Sequence, residues 1–303
     1  MSRRTYVLVP GAGGNGWIWH LVAERLRGAG HAVVAVDLPA GDERAGLREY
    51  ADVIVEAVRE AGYAEGAVHK NDTGERNGAG HGNGAGQGSD ADQENGAGQG
   101  SDAGQKNGAG QGRGAGQENG ASHGNGAGQG KGSGERDGAG ELVLVAHSMG
   151  GLSAPLVCDR LSVNRIFLVN AMIPAPGESG GEWWGNTGQE EARRACDLAE
   201  GRDPDGEFDF RVYFFHDVPE ELAAYALAHD SPQSGTPFEL PWPLAAWPDV
   251  PTRVLAGMDD RFFPAAFQER IAKERLGLGV EQLPGGHLMS LSRPAELAEA
   301  LLS

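Results

Sequence analysis

Short runs of consecutive apolar residues alternate along this chain with stretches whose apolar positions recur every three or four residues. Tyr6–Val9, Ala32–Val36, Leu142–Val145, Arg165–Asn170 and Thr252–Gly257 are runs of the first kind. A strand buried on both faces has no polar side, so these runs predict the strands of a parallel sheet. Leu47, Tyr50, Val53, Ile54, Ala57 and Val58 fall on one helical face, and they predict a helix from Leu47 to Ala61 that Gly62 ends. Helices are also expected over Trp17–Leu26, from near Gly151, over Pro264–Leu276 and over Pro294–Leu302, with a last strand in "GVEQLPGGH" before His287. Strand and helix in alternation predict an α/β fold with helices on both faces of the sheet. From Ala171 to about Asp249 the alternation stops. That stretch is rich in Trp, Phe and Pro, holds one helical pattern near Pro219–Ala228, and reads as a cap.

A second break is compositional. From His69 to Glu141 the chain has no Val, Ile, Leu, Met, Phe, Trp, Tyr or Cys, and about half of its 50 glycines lie between Gly66 and Gly140. From Asn71 the stretch divides into hexads such as NGAGQG, in a register that holds to Leu142. A β-helix of hexapeptides needs an aliphatic residue inward at each turn, and these hexads offer only Ala. Such a segment cannot bury enough apolar surface to offset its ordering entropy, so residues 66–140 are expected to be a solvated, disordered insert. Residues 1–65 and 141–303 then form one domain of roughly 230 residues, with a cap over about 171–249, large enough for a single core.

Net charge is −18, and the insert carries little of it, with nine acidic against six basic residues. An acidic folded part argues against nucleic acid, which needs a basic footprint. Cys158 and Cys196 lie in no paired or metal-binding motif, so reduced thiols and no metal are expected. The start "MSRRTYVLVPG" lacks the apolar stretch of a signal peptide, and no run approaches the roughly 18 residues of a membrane span. A cytoplasmic protein without membrane attachment is the expectation.

The chemistry concentrates at strand ends. In "LVLVAHSMGGL", Ser148 sits between a strand and a helix, as in the G-x-S-x-G nucleophile elbow, with Ala146 in place of the first glycine. A serine so exposed needs a base, and His287, in the loop after the last strand, is the candidate. His147 is read as a structural residue pointing away from the site, and His216 as a packing residue of the cap. The base needs an orienting carboxylate. "GMDDRFFP" offers two, and the pattern G-x-x-D-x-x-x-P selects Asp260, with Asp259 as the alternative. Asn170, at the end of the preceding strand, carries no charge. The order Ser148, Asp260, His287 is that of the α/β-hydrolases. Gly11, Gly13 and Gly16 with Asp37 also fit a dinucleotide fingerprint, but a glycine turn after a strand serves an oxyanion equally well. With elbow, acid and histidine in order, Asp37 is read as capping the loop.

"VPGAGGNGWIWHLVAERLRGAGHAVVAVDLPAG" and "PGGHLMSLSRPAEL" resemble the plant methylesterase and hydroxynitrile lyase branch of the α/β-hydrolases, with Pro10 where that branch has histidine. The resemblance covers both halves of the core, is weak in the cap and omits the insert. It implies an α/β-hydrolase fold and a serine esterase acting on a small to medium ester through an acyl-enzyme, without cofactor. It also implies an oxyanion hole made by the backbone N–H groups of Ala12 and Met149. Trp183, Trp184, Trp242 and Trp247 suggest an apolar pocket in the cap. Two other functions are open to the same fold. One is a hydroxynitrile lyase, whose lysine near the catalytic histidine is missing here between Gly277 and Leu302; the other is a non-enzymatic small-molecule binder.

Overall fold

The computed structural model describes residues 3–63, 140–229 and 231–303. The hexapeptide repeats, and the expectation of disorder for residues 66–140, lie almost wholly outside them. Six parallel strands form one sheet: β1 (Arg4–Val9), β2 (Ala32–Ala35), β3 (Glu141–His147), β4 (Val163–Val169), β5 (Thr252–Gly257) and β6 (Val280–Leu283). Their order across the sheet is β2-β1-β3-β4-β5-β6. The α/β class expected from the apolar runs is therefore met.

The helices are α1 (His20–Gly28), α2 (Leu47–Glu60), α3 (Gly150–Ser153), α4 (Gly180–Thr187), α5 (Gln189–Ala199), α6 (Phe210–Tyr213), α7 (Glu220–Ala228), α8 (Ala265–Leu276), α9 (Met289–Ser292) and α10 (Pro294–Leu302). Successive strand residues point to opposite faces. In β1, Tyr6 and Leu8 join α1 and α10 in one core, while Val7 and Val9 join α2 and α8 in the other. β3 divides in the same way, with Val143 and Val145 on the first face and Leu142, Leu144 and Ala146 on the second.

Two sequence expectations need correction. The helix expected over Trp17–Leu26 is split, because Gly16–Trp19 form a 3-10 turn and α1 begins only at His20. Asn15 causes the early start, since its side chain accepts the Trp17 N–H at 2.8 Å. Among its described residues the cap holds four α-helices, not one. α4 opens with a capping box in which Ser179 and Glu182 bond each other's backbone N–H. α5 follows after Gly188, whose φ of 62° lets one residue end one helix and start the next.

The strand order reverses between β1 and β3, whose neighbours lead away in opposite directions. In open α/β sheets the crevice beyond the carboxyl ends of such strands is where ligands bind. The two loops that leave β1 and β3 at that point carry Ala12 and Ser148.

Candidate active site

β3 ends at His147, and Ser148 follows with φ of 50°, a left-handed conformation rare for a residue with a side chain. The turn holds because its surroundings accept only glycine. A Cβ on Gly150 would come within 2.7 Å of the Pro10 carbonyl oxygen, and one on Gly151 within 2.0 Å of the Met172 carbonyl oxygen. A Cβ on Gly11 would lie 2.8 Å from that of Ser148, so the β1 loop closes directly on the elbow.

Ser148 Oγ lies 3.0 Å from His287 Nε2, and His287 Nδ1 lies 2.8 Å from Asp260 Oδ2. The structure thus brings together the three residues singled out from β3, β5 and the loop after β6. Asp260 is held by the N–H groups of Phe262 and Phe263, both 2.8 Å from Oδ1. Asp259 faces elsewhere, with its Oδ2 accepting the Gly285 N–H at 3.2 Å. Ser148 is 8% exposed, Asp260 2% and His287 1%, so the group is shielded from bulk water. The rings of Phe214, Phe262 and Phe263 stand edge-on to His287, with centroids 5.0–5.3 Å away.

The loop before His287 is fastened by residues that carried no signal of their own. Asn170, with φ of 45°, donates through Nδ2 to the carbonyls of Gly286 and His287. Its Oδ1 accepts the Gly257 N–H and the Gln268 amide. Asp217, in the cap, accepts the Gly286 N–H at 2.8 Å. His216 does not face Ser148, and its Nε2 bonds the Asp259 carbonyl at 2.9 Å. His147 lies closer to the site than expected, with Nε2 2.9 Å from the His287 carbonyl oxygen and its ring centroid 4.9 Å from that of His287. A carbonyl only accepts, so Nε2 carries the proton. Burial, followed by the His287 charge, pushes the His147 pKa down to about 3.

The glycine pattern forms a tight turn after β1. Gly11–Gly14 form a turn closed by Gly14 N–H on the Gly11 carbonyl at 3.1 Å, with Gly13 at φ of 80°. Asp37 Oδ1 accepts the Gly16 N–H at 2.7 Å, so this carboxylate caps the loop and is engaged where a dinucleotide site would need it free. Among the described residues no protein acceptor takes the N–H of Ala12 or of Met149. Both residues line the pocket that contains Ser148 and His287.

That pocket has a volume of about 360 Å³. Its walls include Trp17, Trp184, Phe210, Phe214, Phe238 and Phe262, and no described Asp, Glu, Lys or Arg lines it. Of the four cap tryptophans proposed for an apolar pocket only Trp184 reaches it. Trp183 and Trp242 are buried in the core, where their indole N–H groups bond the carbonyls of Ile173 and Leu152, and Trp247 stacks on Trp242. Phenylalanines supply the aromatic wall instead. No cluster of His, Cys, Asp and Glu among the described residues could hold a metal ion, and no described helix is long and apolar enough to cross a membrane.

The alpha/beta hydrolase family matches this chain over residues 118–300, more than half its length, and the chain belongs to that family. Its fold is similar to that of polyneuridine aldehyde esterase, 18% identical, with 99% of this chain and 98% of that chain covered and a TM-score of 0.61. A pyrethroid hydrolase from Sphingobium faniae JZ-2 is 19% identical over 99% and 96% of the two chains, with a TM-score of 0.57. A methylesterase from Arabidopsis is 15% identical over 98% and 97%, also with a TM-score of 0.57. At these identities the likeness is one of fold. No curated protein matches the sequence.

Proposed function

We propose that this protein is a serine hydrolase of small to medium, uncharged carboxylic esters. The observation that carries the reading is the hydrogen-bonded series Ser148–His287–Asp260, at 3.0 and 2.8 Å, opening on an aromatic pocket. Ser148 Oγ attacks the ester carbonyl while His287 Nε2 takes its proton. Asp260 keeps the imidazole in the tautomer that leaves Nε2 free to accept, and it stabilises the imidazolium that follows. The tetrahedral oxyanion takes hydrogen bonds from the N–H groups of Ala12 and Met149. The C–O bond to the alcohol then breaks and His287 gives the alcohol its proton. Water, deprotonated by His287, cleaves the acyl-enzyme, releasing the acid and restoring Ser148. The catalytic domain comprises residues 1–65 and 141–303, and its partner is a small-molecule ester substrate, with no nucleic acid or membrane involved.

The pocket walls support the choice of an uncharged substrate, because among the described residues a charge buried there would meet no Asp, Glu, Lys or Arg and would lose its hydration. The absence of lysine from the lining also favours hydrolysis over the lyase reaction. Turnover of p-nitrophenyl esters of increasing acyl length tests the reading. A neutral short or medium ester should be cleaved at a rate that falls by about 10³-fold or more in Ser148→Ala. An ester with an acyl chain ending in carboxylate should be slower by more than about 10-fold in kcat/KM. Equal turnover by wild type and Ser148→Ala would overturn the proposal.

A further inference from the structure

The geometry points to Gln233, in the cap, as a positioning residue that fixes the conformation of the oxyanion loop. The inference rests on the ester-hydrolase reading and concerns how that site is kept competent. Gln233 Oε1 accepts the Gly13 N–H at 3.1 Å, a contact between residues 220 apart in the chain. Its Nε2 donates to the Tyr50 hydroxyl and to the Ser234 carbonyl, both at 3.0 Å. These partners define the amide orientation, because a flipped amide would set its NH₂ against the Gly13 N–H and its oxygen against a carbonyl.

The group that Gln233 holds is the sensitive one. In the turn Gly11–Gly14, the central peptide joins Ala12 to Gly13. Turns with positive and negative φ at the third residue differ by a flip of that peptide, and glycine permits both. Gly13 stands at φ of 80°, and Gln233 takes the N–H of this same peptide. The bond therefore selects one of two conformations of the turn that carries Ala12, a residue that lines the same pocket as Ser148. The rest of the loop is tied down further on, by Leu38 N–H on the Gly14 carbonyl at 2.7 Å and by Asp37 on Gly16. Those ties leave the Ala12–Gly13 peptide itself to Gln233.

Gln233 is in turn anchored to the core. Tyr50 is fully buried in α2. The cap segment beside Gln233 docks on the loop after β2, with Ser234 N–H on the Ala40 carbonyl at 2.8 Å and Thr236 Oγ1 on the Glu43 carbonyl at 2.6 Å. Seating of this part of the cap and shape of the oxyanion loop are thus one mechanical unit. A cap that lifts here frees the peptide that follows Ala12 and, with it, the loop that carries the Ala12 N–H.

The test is a comparison of wild type with Gln233→Leu, Gln233→Glu and Tyr50→Phe, using a neutral p-nitrophenyl ester and a trifluoromethyl ketone, which mimics the tetrahedral oxyanion. Gln233→Leu should lower kcat about 10-fold or more with KM changed less than about 3-fold, and weaken the ketone in step with kcat/KM. Gln233→Glu keeps an acceptor for Gly13 N–H but loses the donor to the Ser234 carbonyl and adds a negative charge, so it should recover part of kcat relative to Gln233→Leu. Tyr50→Phe removes only the anchor, so a smaller loss in the same direction is expected even if the leucine variant does not fold. Wild-type kcat and ketone affinity in both Gln233→Leu and Tyr50→Phe would overturn the inference, as would a loss confined to KM. Failure of the wild type to cleave any ester would instead remove the ester-hydrolase reading, and this inference with it.

Discussion

Asp259 and Asp260 are neighbours in sequence with different duties, and they show what a motif can and cannot convey. The spacing from Gly257 to Pro264 favoured Asp260, and that carboxylate is the one bonded to His287. Asp259 instead closes the loop around Gly285. Asp260→Asn is expected to lower kcat by about 10³–10⁴-fold, because the imidazole loses both its charge partner and its tautomer. Asp259→Asn should cost less than about 10-fold, since an amide oxygen can still accept the Gly285 N–H. Steady-state kinetics of the two variants checks the ranking. Ser148, Asp260 and His287 were legible because turn chemistry fixes them locally. Asn170 and Gln233 were not, because each acts through contacts made by residues far away in the chain. His147 provides a separate test. Its pKa is about 3 in the fold against an ordinary 6.5, so between these values the unfolded chain binds more protons. Its contribution to stability is complete above about pH 6.5 and is lost as pH falls toward 3, with a slope of at most about 1.4 kcal/mol per pH unit. Urea unfolding from pH 7 to pH 4 should show a shallower decline in His147→Asn than in wild type. Parallel curves would mean that His147 is not the group responsible.

Strands β1 to β5 were readable as elements because each holds an unbroken apolar run, a pattern that burial within a parallel sheet requires, whereas β6 is polar at Glu281 and Gln282. Of the cap helices only α7 was readable, as the helical pattern near Pro219–Ala228, because apolar periodicity is a poor guide to the others. Five of the eight residues of α4 are glycine, asparagine or threonine, and its signal is the capping box of Ser179 and Glu182. α5 is held instead by its fully buried Asp197, which pairs with Arg193 of the same helix and with Arg202 just beyond its end. A related pair joins the cap to the core. Glu178 lies before α4, and although burial pushes its pKa up, Arg275 in α8 together with the Ala175 N–H and Asn186 more than offsets this and holds the carboxylate below its ordinary range. Arg275→Ala leaves that buried carboxylate with only Asn186 and the Ala175 N–H as partners. It should destabilise the fold by about 3 kcal/mol or more, read as a lower midpoint in urea. A change below about 0.5 kcal/mol would place the pair among surface ion pairs of little consequence.

At the scale of the whole molecule, sheet direction puts the point where residues 64–139 rejoin the sheet and the point where Ser148 leaves it at opposite ends of β3. Residues 64–139 join Tyr63 to Gly140, just ahead of β3, and Ser148 follows the other end of that strand. Seven strand residues span about 23 Å at roughly 3.3 Å each. Loop closure costs only about 0.6 kcal/mol for each doubling of length, so a long connection burdens the fold little. Replacing Val68–Gly140 with a short Gly-Ser loop should leave kcat/KM within about 2-fold and stability equal or slightly higher. A shortened protein that unfolds like wild type but has lost most of its esterase activity would assign the repeats a part in the reaction. The reversal of strand order between β1 and β3 then accounts for the position of the pocket, since both loops that bound it leave the sheet there.

The central claim is that Ser148 is the nucleophile, and covalent capture tests it most directly. Wild-type protein treated with a fluorophosphonate and digested should give one modified peptide by mass spectrometry, with the adduct on Ser148. Labelling should slow sharply in Asp260→Asn and disappear in Ser148→Ala. An adduct on any other residue, or labelling that persists in Ser148→Ala, would contradict the account.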